Sequence, residues 1–137
     1  MPRSIAVANS RVRVWVLATL LTLTAFKLSA NTGPYDEGAD AKAQIQAALK
    51  EAQAARLPVL VVFGANWCGD CKMLDMAFKS GAAAPLIAKN YRVVKVDVGR
   101  FDRNVDIATT YGVPLKRGIP AVAVLSPKGE LLYATKA

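Results

Sequence analysis

The sequence predicts an α/β fold, a mixed four-stranded sheet with flanking helices. Three observations carry this. Val59-Leu60-Val61-Val62-Phe63 is apolar at every position and mostly β-branched, as a strand covered on both faces requires. Segments of helical period alternate with strand-like runs around it. Ser126-Pro127-Lys128-Gly129 is so short a connection that the strands on either side of it must be antiparallel.

The elements follow in order. Residues 31–38 are polar, with Gly33, Pro34 and Gly38, and read as a flexible leader. Residues 39–56 are Ala-rich, with Ile45, Leu49 and Ala52 at helical spacing. They predict an amphipathic helix that ends before Pro58, with Asp40 placed to cap it or to favour its first turn. The apolar run 59–63 is the first strand, and Gly64-Ala65-Asn66 breaks it. A second helix starts near Cys68 and runs through Phe78 to the interruption at Ser80-Gly81, after which Pro85 opens a further helical turn with Leu86 and Ile87. Tyr91–Val98 is the second strand, residues 103–111 a short helix, Ile119–Leu125 the third strand and Glu130–Thr135 the fourth. No internal repeat or low-complexity tract interrupts the pattern.

The chain has 137 residues, enough for one domain, placed over residues 39–137. Its net charge is +8, but Arg3, Arg11, Arg13 and Lys27 stand in residues 1–30 without an acid, so half of the excess lies there. The rest has no basic run and no basic helix face. Phosphate binding needs a clustered patch, so nucleic acid is not an expected partner. Residues 1–30 read as a secretory signal. A basic stretch ends at Arg13, Val14–Phe26 carry no charge, and Leu28-Ser29-Ala30 precede a polar segment. A helix of that uncharged length spans about 20 Å, short of a hydrocarbon core of about 30 Å. Cleavage after Ala30 and export, to the periplasm in a bacterium, are therefore expected. Leu28 and Lys27 depart from the usual cleavage site, and the alternative is an uncleaved membrane anchor.

Trp67-Cys68-Gly69-Asp70-Cys71 falls at a strand-to-helix turn. There the first cysteine sits where free N–H groups and the positive end of the helix dipole favour a thiolate. The second lies almost one turn on, on the same face, close enough to close a disulfide. Cys68 can then attack a substrate disulfide and Cys71 resolve the mixed disulfide. Other readings compete. Zinc usually takes four ligands, and this chain has no further Cys and no His, so no metal is expected. A structural bridge closing so short a loop would gain little entropy. A binding or assembly module with an incidental dithiol stays open, as does an oxidase that donates its disulfide.

The stretch Val59–Cys71, with Phe63, Ala65, Trp67 and both cysteines, resembles the active-site segment of the thioredoxin superfamily. Gly118-Ile119-Pro120 resembles that family's cis-proline loop, and Lys128-Gly129-Glu130 its hairpin turn. The resemblance covers residues 40–135 and extends to exported, periplasmic thioredoxin-like proteins and to the soluble reductase domain of transmembrane thiol–disulfide interchange proteins. It implies a thioredoxin-like fold and a thiol–disulfide oxidoreductase acting on protein thiols and disulfides, fed by a membrane electron donor. No bound cofactor is implied beyond the redox-active pair itself. By the same resemblance Cys68 is the nucleophile, Cys71 the resolving thiol and Trp67 a shaper of the surface beside them. Pro120 would be cis, and the Ile119 backbone would pair with an extended substrate segment.

Three departures from the family pattern bear on function. Thioredoxins proper carry a buried acid six residues before the nucleophile, where this chain has Val62. Lys95 matches a basic residue placed near that acid, or is an exposed strand-edge lysine. Asp70 replaces the usual proline. It would oppose a neighbouring thiolate, raise a cysteine pKa and favour the disulfide, making the protein a better reductant, with Lys72 partly offsetting it. Last, the family closes with a helix after the final strand, and the sequence stops at Ala137. One sheet face would then lack its cover, and an exposed apolar patch there predicts dimerisation or poor stability.

Overall fold

A computed structural model describes residues 33–136. The signal and anchor readings of residues 1–30 lie outside the described residues. The elements are α1 (Ala41–Ala55), β1 (Val59–Gly64), α2 (Gly69–Ser80), α3 (Ala84–Asn90), β2 (Arg92–Asp97), α4 (Val105–Thr110), a 3-10 turn at Leu115–Arg117, β3 (Ala121–Leu125) and β4 (Leu131–Ala134). The sheet order is β2-β1-β3-β4, with β1 parallel to β2 and antiparallel to β3, and β3 antiparallel to β4. The sheet is mixed and flanked by helices, as the sequence predicts.

Burial explains the arrangement. β1 is central and all six of its residues are buried. Val59, Val61 and Phe63 face the main core with Ile45 and Ala52 of α1, Val96 of β2 and Leu125 of β3. Asp40 caps α1, its carboxylate accepting from the Ala43 N–H at 3.0 Å. Arg56 ends the helix in the left-handed region, two residues before Pro58. The hairpin closes through Ser126, whose N–H donates to the Glu130 carbonyl at 2.7 Å, with Gly129 at φ 87°. β4 is shorter than the expected 130–135, and its pairing with β3 carries a register shift at Val124/Leu125. Leu131, Leu132 and Tyr133 of β4 are about half exposed.

One expectation is corrected. Residues 33–38 are not a loose leader. Tyr35 is 1% exposed, and its backbone N–H and C=O are both held by the Asn66 side-chain amide, at 2.9 and 2.8 Å. Asn66 also donates to the Glu37 carboxylate at 3.0 Å, and Arg103 donates to the Glu37 carbonyl at 3.1 Å. Gly33 allows this docking, because a Cβ there would overlap Asn66. The segment is a strap lying over the end of β1. Its polar composition hides one aromatic residue whose partners lie some thirty positions downstream.

Candidate active site

β1 delivers the chain to the turn Ala65–Trp67, and α2 begins immediately after. Cys68 is the N-cap of α2 in extended conformation, so its side chain turns back over the first helical N–H groups. Its Sγ accepts from the Cys71 N–H at 3.2 Å. That donor stabilises negative charge on Cys68 whenever the pair is reduced. Cys68 and Cys71 form a disulfide, with Cα atoms 5.2 Å apart. Their exposures differ: Cys68 is 6% exposed and Cys71 not at all. An incoming sulfur can reach only Cys68.

The loop before β3 borders the same sulfur. The Ile119–Pro120 peptide bond is cis, and the Ile119 carbonyl oxygen lies 3.6 Å from Cys68 Sγ. Ile119 also packs on the cluster formed by Tyr35, Cys68 and Cys71. Trp67 is 49% exposed beside Cys68 and is held by a hydrogen bond from its indole N–H to the Gly99 carbonyl at 2.8 Å. Phe101 meets it edge-on, with ring centroids 6.1 Å apart, and the Arg100 guanidinium stands 5.7 Å from its ring. The Gly99–Arg103 loop thus extends the surface around the sulfurs. The sequence reading missed Phe101 and Arg100, since only the Trp67 contact marks them.

Gly69, Asp70 and Lys72 are exposed on the first turn of α2. A Cβ on Gly69 would meet nothing within 4 Å, so the fold itself does not require glycine there. Lys95 is not an exposed strand-edge lysine. It pairs with Val62 in register and forms an ion pair with Asp75, which lies one turn beyond Cys71 on α2 and is also bonded by Lys79 at 2.9 Å. Asp75 is buried and was not singled out from sequence, because its i+4 relation to Cys71 means nothing until α2 is laid on the sheet.

At the far end of β2, Asp97 is buried. One oxygen accepts from the Gly99 N–H and from Arg103, both at 3.2 Å. The other has no hydrogen-bond partner among the described residues. Burial pushes the Asp97 carboxyl above its ordinary value, against the pull of Arg103. Burial first, and then the Asp97 charge, push the Tyr35 phenol up to about 12. Among the described residues no three His, Cys, Asp or Glu side chains gather as a metal site would need.

A thioredoxin-like family profile matches residues 40–127, which spans both cysteines, Lys95 and the Pro120 loop. The chain belongs to the thioredoxin-like family. It is 40% identical over 74 residues to the thioredoxin of Griffithsia pacifica, which covers 51% of this chain and 57% of that protein. It is 39% identical over 82 residues to the thioredoxin of Rickettsia felis, covering 59% and 69%. The chain therefore spans somewhat over half the length of these thioredoxin relatives. Among solved structures, the disulphide isomerase from Xylella fastidiosa Temecula1 superposes with a TM-score of 0.73 at 48% identity, over 76% of this chain and 79% of that one. In this thioredoxin-like setting the Cys68–Cys71 disulfide occupies the start of the helix after the central strand, with the Pro120 loop against it.

Proposed function

We propose that this protein exchanges disulfides with protein substrates through Cys68 and Cys71, working in the reducing direction outside the cytosol. The observation that carries the reading is the unequal burial of two bonded sulfurs at one helix start. Cys68 is reachable and has an N–H donor on its sulfur, while Cys71 is sealed and can react only with Cys68. Likeness to thioredoxins and to a disulphide isomerase supports the same activity. The Ile119 backbone beside Cys68 and the Trp67–Phe101 surface offer a place for an extended substrate segment. No bound cofactor is needed, because the pair itself carries two electrons, and the reduced form is renewed by a membrane donor. The reducing direction rests on Asp70, whose charge disfavours a thiolate nearby. Export rests on the signal-like order of residues 1–30.

Trapping tests the exchange. With a protein disulfide as substrate, a Cys71→Ser variant should accumulate a mixed disulfide through Cys68, since nothing resolves it. A Cys68→Ser variant should accumulate none and lose all exchange. Equal trapping by both variants, or full activity in Cys68→Ser, would remove the assignment.

A further inference from the structure

Val62 leaves the resolving cysteine without a carboxylate neighbour on β1, yet Cys71 must become a thiolate inside the core. A buried thiol left to itself titrates above its ordinary value and reacts slowly. Something polar must face it, and the strap supplies the candidate. Gly64 has no side chain, and the notch this leaves is shared by two groups. A Cβ on Gly64 would overlap the Tyr35 hydroxyl oxygen and meet Cys71 Sγ at 3.0 Å. Tyr35, Cys68 and Cys71 pack as one buried cluster. The phenol is thus brought close to Cys71 inside the core.

We infer that Tyr35 is a further residue of the exchange: its hydroxyl donates a hydrogen bond to the Cys71 thiolate and so favours the resolving step. This rests on the function proposed above. In that step Cys71 loses a proton, matched by the one the departing substrate sulfur takes up, and its thiolate attacks Cys68 Sγ of the mixed disulfide. The Cys68–Cys71 bond forms and the Cys68–substrate bond breaks. The substrate sulfur leaves with the electron pair and takes up a proton. Over the whole cycle the pair is oxidised by two electrons and the substrate disulfide is reduced.

Tyr35 suits this role as a donor. With its phenol held protonated through the working pH range, it can give a hydrogen bond to a thiolate and does not compete for the proton. The charged groups around it are Asp97 at the end of β2, Arg103 bonded to Asp97, Glu37 on the strap, and the Asp75–Lys95 pair one turn along α2. The two buried carboxylates, Asp75 and Asp97, oppose a Cys71 thiolate and each has a cationic partner, which leaves the phenol as the neutral donor at the sulfur. Asn66, the residue before Trp67, holds the strap by both backbone groups of Tyr35, so the donor is fixed to the active-site turn itself.

The test is Tyr35→Phe, which keeps the ring in its notch and removes only the hydroxyl. In full-length Cys68→Ser protein, where Cys71 titrates alone, ultraviolet thiolate absorbance against pH reads the Cys71 pKa. A hydrogen bond to a charged acceptor lowers the pKa of that acceptor by about 1 to 2, so Tyr35→Phe should raise the Cys71 pKa by as much. Each rise of about 1 in pKa cuts the thiolate fraction tenfold, and the greater nucleophilicity of a more basic thiolate returns part of this. Release of a preformed mixed disulfide near neutral pH should therefore slow about three- to fourfold for a rise of about 1, and about tenfold for a rise of about 2. An unchanged or lowered Cys71 pKa, or an unchanged release rate, would make Tyr35 a plug and overturn the inference. Failure of the parent protein to exchange with any protein disulfide would instead remove the proposed function, a result the titration does not share.

Discussion

Gly64 has no side chain because Tyr35 occupies the place where one would go. Gly64→Ala should therefore drive the phenol out of its notch and cost about 1–3 kcal/mol, as overpacking in a closed core does. The midpoint of denaturant unfolding reads this, and Tyr35→Phe should leave that midpoint nearly unmoved. Tyr35 also imposes a pH dependence. Its pKa rises from an ordinary 10.0 in the unfolded chain to about 12 in the fold. The folded state thus holds the proton more tightly, so the contribution is complete below pH 10 and is lost as pH rises toward 12. Unfolding midpoints should fall across that window in the parent protein, and Tyr35→Phe should remove this part of the fall. The cysteine pair was legible in the sequence because its spacing and the helix start that follows state the chemistry locally. Tyr35 was not legible. Its role depends on a missing side chain at Gly64, far along the chain, and no periodicity links the two.

At the scale of elements, the ion pair between Asp75 and Lys95 fastens α2 to β2 beside Val62. Both side chains are largely covered, so removing one leaves the other charged and poorly solvated. Asp75→Leu and Lys95→Met should each cost about 1–3 kcal/mol singly. Together they should cost less than either alone, since an apolar pair of similar size can replace a buried ion pair. Unfolding of the two single variants and the double measures the coupling. The element order itself was readable. The run 59–63, the spacing of Ile45 and Ala52, and the Ser126–Gly129 turn each specify one element and its neighbours. The strap was misread as loose because residues 33–38 look solvated one by one. Their order comes from the Asn66 amide and from Arg103, contacts made only after the chain has folded back.

At the scale of the whole molecule, the sheet is sealed on its α1 face, while β4 presents Leu131, Leu132 and Tyr133 to its surroundings. These side chains differ sharply from the core strand next to them. Leu125→Ala should cost about 2–5 kcal/mol, whereas Leu132→Lys, at a residue 61% exposed, should change stability by less than about 0.5 kcal/mol. Denaturant unfolding of the two variants separates a packed residue from one that carries no folding energy. The chemistry, too, is a property of the whole. On the proposed reading, Asp70, Lys72, the Cys71 N–H that meets Cys68 Sγ and the Tyr35 hydroxyl act on one pair of sulfurs, and their sum is a reduction potential. Equilibrating the full-length protein in thiol redox buffers measures it. A potential near or below about −230 mV, in the range of thioredoxins and glutaredoxins, is the predicted result for a reductase. A value near about −120 mV would make the protein an oxidant, and a pair that never exchanges would contradict the assignment of Cys68 and Cys71 as the working site.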